Sequence, residues 1–119
     1  MTAGKTEWII PDMFWPVADN GIYTSHEAIC VLNVTDEPCQ VGIRFYFEDR
    51  EPAECEEILC GARRTKHIRS EMMKLKDGGD APRGTPLAAV VTCSVPAIVQ
   101  YTRVDTTQEP LAMMTTIPF

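Results

Sequence analysis

The densest group of side chains capable of chemistry is a basic segment at residues 63–69, which carries four fixed positive charges. On a strand, successive side chains alternate between two faces. A cationic face that also holds a hydroxyl and an imidazole could bind a carboxylate, a phosphate or a DNA backbone. The alternative is a solvated strand whose charges pair with the acids of segment 48–51. One face would hold Arg63, Thr65, His67 and Arg69; the other would hold Arg64, Lys66 and Ile68.

A second polar group follows the apolar residues 97–99, where a strand would end. Strand ends are positions at which a scaffold often presents binding groups. By alternation, Gln100 and Thr102 share one face, and Tyr101, Arg103 and Asp105 share the other. The alternative is an Arg103–Asp105 ion pair on a wet surface.

The third group, Ser25-His26-Glu27, stands at the entrance to an apolar segment. A His-Glu pair occurs in zinc-protease helices, but the second His of that motif would have to be at position 30, which is Cys30. The segment also has the pattern of a strand, so the zinc motif is rejected. A His beside a buried strand is more often a hydrogen-bonded structural group than a ligand.

Enzyme templates find no match, so we expect a protein without catalysis and without a cofactor. Gly78-Gly79 lacks the Lys and the helix that follow in phosphate-binding loops, and a nucleophile elbow is missing. The five cysteines are an odd number without a secretory signal, which disfavours a disulfide framework. Cys55 and Cys60 do not have the spacing of common zinc knuckles, so no metal site is expected. A Cys–His pair in space remains open.

Composition predicts one soluble domain spanning residues 1–119. The formal net charge of −6 repels anionic membranes and nucleic acid over distance, although a local basic patch could override it. No apolar run reaches the roughly 18 residues of a membrane span. Residues 1–11 lack the features of a signal peptide, so a cytoplasmic location is expected.

Hydrophobic periodicity predicts short strands broken by turn residues, which is typical of a sandwich or barrel. Residues 40–47 alternate between apolar and polar side chains, as a strand with one buried face does. Residues 26–34 are apolar on both faces and should form a central strand. First and last strands are expected at 8–10 and 111–117.

The remaining segments are less regular. Residues 56–61 and 62–69 are predicted as one strand, or two with a kink at Gly61. Ser70 is expected to cap one helical turn within 70–76. Segments 87–93 and 97–104 should form a hairpin about residues 94–96, after an exposed loop at 77–84. The expected fold class is all-β: a single antiparallel β-sandwich, jelly-roll-like, with one short helical turn.

Aromatic side chains are concentrated in the loop at residues 11–24, which carries Phe14, Trp15 and Tyr23. Aromatics in an irregular loop can line a binding surface. We favour the simpler interpretation, in which they fold over the sandwich end as a satellite cluster.

Segments 25–27, 62–67 and 95–105, in this order, resemble the sensory rhodopsin transducer family. The Arg-Arg-Thr-Lys-His string at 63–67 and the Val-Pro…Val-Gln…Thr-Arg…Asp string at 95–105 are long and unusual. The resemblance implies a small cytoplasmic β-sandwich that assembles as a homotetramer and pairs with a membrane photosensor or another signalling protein. It also implies that ligand-binding or interface residues are His26, Glu27, Arg63, Arg64, Thr65, Lys66, His67, Gln100, Thr102, Arg103 and Asp105.

Three functions follow from these observations. The first is a signal-transducer or ligand-binding module that acts as a homo-oligomer, in which Arg63, His67, Gln100 and Arg103 form a pocket for an anionic or polyhydroxylated ligand or serve as subunit contacts. The second is a DNA-associated regulator that uses the basic strand, which the acidic net charge disfavours. The third is an enzyme that uses His26, Glu27 or His67 as acid or base on a sugar or similar small molecule.

Overall fold

Antiparallel strands account for nearly all of the computed structural model, which describes residues 3–17, 25–107 and 112–119. These residues contain eight strands and one 3₁₀ turn, so the all-β expectation and the short helical turn are confirmed. The strands are β1 (Lys5–Met13), β2 (His26–Asn33), β3 (Cys39–Phe47), β4 (Ala53–Glu54), β5 (Ile58–Cys60), β6 (Arg64–Arg69), β7 (Leu87–Asp105) and β8 (Ala112–Thr116), and the 3₁₀ turn is Ser70–Met72.

The organising element is β7, a continuous strand of 19 residues. Its first half pairs with β1 and β3, and its second half, from Ile98 onward, pairs with β2 and β8. We call β1, β3, β4, β5 and the first half of β7 the first layer. We call β2, β6, β8 and the second half of β7 the second layer. Because β7 belongs to both layers, the sheet curls around one core.

The hairpin predicted about residues 94–96 is therefore wrong. Pro96 lies where β7 changes partners, and the ladder with β1 shifts register nearby, between Lys5 and Glu7. The Gln40 backbone N–H donates to Ser94 Oγ at 2.8 Å, so a side chain replaces a ladder carbonyl there. A proline, which lacks a backbone N–H, is tolerated at such an irregularity, although it usually ends a central strand.

The core lies between the two layers and is built by alternation. In β3, Val41, Ile43 and Phe45 are buried while the intervening side chains face outward, as the sequence predicts. In β7, the odd-numbered side chains from Leu87 to Tyr101 turn toward the same core. Burying each such aliphatic or aromatic side chain contributes on the order of 1.5–3 kcal/mol.

β2 occupies a central position between β6 and β7, as predicted. Its inner face, with Ile29 and Val31, is fully buried. The outer face differs from the expectation, because Cys30 is only half-buried and Leu32 is exposed. That face of the second layer is consequently apolar and accessible.

Around β6 the structure resolves two details that the sequence left open or misplaced. β5 and β6 are two strands separated by a turn, in which Arg63 has a φ of 51°. Arg63 is thus outside the strand face on which it was expected. Ser70 does not cap the 3₁₀ turn, because Arg69 occupies the N-cap position. The buried Ser70 Oγ instead accepts the Glu27 backbone N–H at 3.1 Å.

The aromatic loop packs as a satellite of the core over its described part. Trp15 lies against the core cluster, and its indole N–H donates to the Ser25 carbonyl at 2.7 Å. The Arg83 guanidinium stacks over the Trp15 ring at 4.8 Å, and its Nε donates to the Pro16 carbonyl at 2.7 Å. Tyr23 lies outside the described residues.

Candidate functional site

The predicted site residues do not lie on one surface of the protein. They are divided between the inner face of the second layer, its outer face and the turn before β6. The four residues expected to share a pocket do not come together. Arg63 lies in the turn before β6, and Arg103 faces inward. His67 and Gln100 face outward in one row, on either side of Cys30. A single cationic pocket of these four side chains is therefore not formed.

The most enclosed polar group is centred on Glu27, whose side chain is 1% exposed. Its carboxylate accepts hydrogen bonds from Tyr101 Oη at 2.7 Å and from Arg103 Nη2 at 3.2 Å. The Phe14 backbone N–H also donates to both carboxylate oxygens. Three donors, two from β7 and one from a loop, thus converge on one buried acid of β2.

Strand register explains this convergence. Glu27 is paired directly with Arg103 across the β2–β7 ladder, and Tyr101, two residues earlier on the same face of β7, is paired with Ile29. Side chains that are opposite or diagonal neighbours on one face of a sheet lie within contact distance. The sequence analysis selected Glu27 and Arg103 but missed Tyr101 as their partner, although it placed Tyr101 and Arg103 on one face.

Arg103 links the buried acid to the surface. Its Nη2 lies 3.2 Å from Glu27 Oε1 and 3.6 Å from Oδ1 of Asp12, an exposed residue of β1. Its Nε is buried and has no hydrogen-bond partner among the described residues. The expected Arg103–Asp105 ion pair is replaced by these contacts, and Asp105 Oδ1 instead accepts from the Thr107 backbone N–H at 2.9 Å and Oγ1 at 2.7 Å.

Burial is the largest cause of the pKa shifts of Glu27 and Tyr101. Loss of solvation raises the pKa of Glu27, although the bonds from Tyr101, Phe14 and Arg103 oppose that rise. Burial, followed by the nearby Glu27 carboxylate, raises the pKa of Tyr101. Both groups therefore keep their protons to higher pH in the folded protein than in the unfolded chain.

This shift predicts a pH dependence of stability that Glu27→Gln should remove. Between the ordinary value of 4.5 and the raised pKa, the native state binds more protons than the unfolded state, so the free energy of unfolding falls as pH rises. Urea titrations of wild type and Glu27→Gln between about pH 4 and pH 8 measure the difference. A wild-type advantage that grows with pH would contradict the prediction.

The space beside Glu27 is small. A cavity of about 10 Å³ lies between its carboxylate, Trp15, Phe45 and Met73. That volume is at the lower limit for one water molecule. The Glu27 cluster therefore fits an internal support that fastens the loop at Phe14 to the two strands, and the cavity beside it is too small for a metabolite.

The outer face of the second layer carries several of the other predicted residues. At the end of the β2–β7 ladder this face carries the directly opposed pair Leu32 and Ile98, which are 41% and 39% exposed. Sequence reasoning missed this pair as a candidate contact surface, since Leu32 was expected in a strand buried on both faces. The polar residues on the same face are His26, Thr65, His67, Arg69, Gln100 and Thr102.

The basic residues pair differently from the alternative stated above. Arg63 Nε lies 3.7 Å from Asp36, and Arg69 Nε lies 2.8 Å from Glu71, so the acids of segment 48–51 are not the partners. Arg64 Nη1 donates to the Arg63 carbonyl at 3.0 Å. Two of the four fixed charges of segment 63–69 are thus already opposed by carboxylates.

Thiols and acids do not assemble into a metal centre in the described part of the chain, where no group of three or more His, Cys, Asp or Glu residues could hold an ion. The five cysteines are free, and burial raises the pKa of Cys55 and of Cys93 to about 12. Such thiols are almost entirely protonated at neutral pH and therefore weak nucleophiles.

Within residues 3–17, 25–107 and 112–119, no helix has the length and apolarity needed to cross a membrane.

Comparison with known proteins identifies the family. The family model described as Anabaena sensory rhodopsin transducer matches residues 3–119. The solved structure titled Anabaena sensory rhodopsin transducer is 38% identical, with a TM-score of 0.76 over 88% of this chain and 92% of the other. The crystal structure of Thermotoga maritima 1070 is 29% identical, with a TM-score of 0.85 over 98% of this chain and 95% of the other. No curated protein matches the chain.

A family match over almost all of the sequence, together with a relative at 38% identity and the same strand architecture, leads to one conclusion. The chain belongs to the sensory rhodopsin transducer family.

Proposed function

We propose that this protein is a non-catalytic signal-relay module that acts as a homo-oligomer, a homotetramer in its working form, and that the copies associate through the outer face of the second layer. The observation that carries the proposal is the exposed Leu32–Ile98 pair on that face, at the end of the β2–β7 ladder. Uncharged polar side chains, Thr65 and Gln100, lie beside it. Exposed apolar side chains beside uncharged polar ones are typical of protein–protein contact surfaces.

A second copy of the chain is the occupant that suits this face. The face is an antiparallel ladder in which Leu32 of β2 is directly opposite Ile98 of β7. When two identical faces meet about a two-fold axis, each apolar pair can pack on its own counterpart. Such a contact joins two copies, so the proposed tetramer pairs two of these dimers through a second contact. This arrangement assigns the predicted residues His67, Gln100 and Thr102 to subunit contacts, one of the two roles expected for them.

The Glu27 cluster supports a role without catalysis. A general acid or base must reach a substrate proton, directly or through one water. The carboxylate oxygens of Glu27 already accept bonds from Tyr101, Arg103 and the Phe14 backbone, and the adjacent cavity of about 10 Å³ excludes a substrate. Glu27 thus serves the fold, as a fixed point between β2, β7 and the loop at Phe14.

Membership of the family supports a proposal for the upstream partner. A relative at 38% identity carries the name of a sensory rhodopsin transducer. By this likeness the protein works in the cytoplasm and receives its signal from a membrane photosensor of the rhodopsin type or from another signalling protein. The DNA-binding alternative gains little support, because Arg63 and Arg69 are paired with acids and the net charge is −6.

The mass of the protein in solution tests the proposed interface. Light scattering after gel filtration should give about four times the chain mass of 13.3 kDa for wild type. Ile98→Glu should lower the mass, because association would bury a charge without a partner. Since Ile98 is 39% exposed in the single chain, the variant should keep its fold, which circular dichroism checks.

A matched control variant in the first layer tests whether the change in mass is specific to the second layer. Ile9 is 45% exposed in β1 of the first layer, so Ile9→Glu makes the same chemical change at similar exposure. Ile9→Glu should leave the mass unchanged. A monomeric wild type would refute self-association, and an Ile98→Glu variant with the wild-type mass would refute this interface.

A further inference from the structure

A groove of about 570 Å³ lies on the outer face of the first layer, away from every residue of the predicted site. Its floor is formed by the outward side chains of β3 and the first half of β7, and its walls come from β1 on one side and segment 54–57 with Lys76 on the other. The groove is thus on the opposite layer from the proposed subunit interface.

One cross-strand row defines the middle of this groove. Glu7 is paired with Thr92, and Thr92 is paired with Gly42. Glu57 directly precedes Ile58, the partner of Val41, so it continues the same row beyond Gly42. The row therefore has a carboxylate at each end and two small residues between them.

Gly42 keeps the floor of the groove low. A Cβ atom at this position would lie 2.6 Å from Thr92 Oγ1, closer than real contacts allow. Any larger residue would therefore displace the Thr92 side chain into the groove. Val90 and the partly exposed Tyr46 ring add apolar surface along the floor. A methylene chain can lie on such a surface.

The two cations that line the groove pair with only one of its three acids. Arg44 Nε donates to Glu54 Oε1 at 3.0 Å, and Lys76 Nζ lies 3.3 Å from Glu54 Oε2, so both cations are held by one acid. The side-chain carboxylates of Glu7 and Glu57 form no hydrogen bond or ion pair with any described residue. The two carboxylates at the ends of the row are therefore available to a ligand, and the cations are engaged.

We propose that this groove binds a linear aliphatic diamine or polyamine, with one ammonium group at Glu7 and another at Glu57 and the methylene chain over Gly42. The strands β1 and β5 are three strand spacings apart, roughly 14 Å, a span that an extended polyamine with its two ion pairs can cover. A net charge of −6 attracts such a cation over distance. The inference is independent of the proposed self-association, because the two surfaces lie on different layers.

Calorimetric titration with spermidine and with 1,6-diaminohexane tests this site in the wild-type protein. Binding should be detected with a Kd below about 1 mM and should weaken as salt is raised. The neutral isostere 1,6-hexanediol should not bind, because it has the same chain length without the ammonium groups. Glu7→Gln and Glu57→Gln should each weaken binding by about 5- to 10-fold.

Glu56→Gln is the matched control, since Glu56 is the exposed neighbour of Glu57 and does not line the groove. It removes the same unit of net charge and should leave the affinity within about 2-fold. All three positions are exposed, so each variant should keep the wild-type melting temperature within a few degrees. No heat of binding, equal binding of 1,6-hexanediol, or equal weakening by Glu56→Gln would each overturn the proposal.

Discussion

Replacing Glu27 by alanine is expected to lower the free energy of unfolding by about 3–5 kcal/mol. The substitution removes the acceptor shared by Tyr101 Oη, the Phe14 backbone N–H and the Arg103 guanidinium. A buried donor left without an acceptor costs about 1–3 kcal/mol, and an unpaired buried charge costs more. For a chain of this length the melting temperature should fall by about 12 °C or more. Urea unfolding followed by tryptophan fluorescence gives the free energy, and thermal unfolding followed by the same signal gives the melting temperature.

Glu71→Ala provides the control for that experiment. Glu71 also pairs with an arginine, at 2.8 Å from Arg69 Nε, but both side chains are nearly half exposed. Exposed ion pairs contribute about 0–1 kcal/mol, so this variant should be close to wild type. Equal losses for Glu27→Ala and Glu71→Ala would show that the internal cluster is not a stabilising support.

The second large effect is expected at Asn33, a fully buried side chain at the end of β2. Its Nδ2 donates to the carbonyls of Glu37 at 2.8 Å and Gly61 at 3.0 Å. Its Oδ1 accepts from the Thr35 backbone N–H at 3.0 Å and from Thr35 Oγ1 at 2.7 Å. Asn33→Ala removes these four hydrogen bonds from a fully buried position and should cost about 3 kcal/mol in the free energy of unfolding, measured by urea titration.

Two further variants distinguish the contribution of the Asn33 Nδ2 donor to stability from that of its Oδ1 acceptor. Asn33→Asp keeps the acceptor for Thr35 but turns a carboxylate oxygen toward the carbonyls of Glu37 and Gly61, so it should destabilise at least as much as alanine. Thr35→Ala removes only one partner, which is partly solvated, and should cost about 1 kcal/mol. An Asn33→Asp variant as stable as wild type would exclude the donor bonds as the source of stability.

Local patterns were sufficient to predict much of the fold. The alternation of apolar and polar residues in β3 depends only on its own sequence, and the central position of β2 followed from its apolar run. β7 could not be predicted as one strand, because Pro96 is a local signal for a break and its tolerance depends on a change of partners. That change exists only in the assembled sheet.

The candidate sites also depend partly on local sequence and partly on strand pairing. Glu27 and Arg103 were selected by type, but their meeting with Tyr101 depends on the register between β2 and β7, which no local pattern encodes. The cross-strand row in the groove could not be predicted from the sequence at all. Its members come from separate segments: Glu7, Gly42, Glu57 and Thr92. Arg63 and His67 are close in sequence, yet a left-handed residue at Arg63 turns the chain and separates their roles.

The long strand β7 also determines when the protein can fold during its synthesis. β1 has β7 as its strand partner, and β2 and β3 each use β7 along one side. Since β7 is made after β1 to β6, these strands leave the ribosome with one or both edges unpaired. Chains held in this condition are prone to associate with one another, and pairing over long sequence distances is slow. We therefore expect the complete sheet to form only after residue 105 has emerged, because the pairs that join the two layers all need β7.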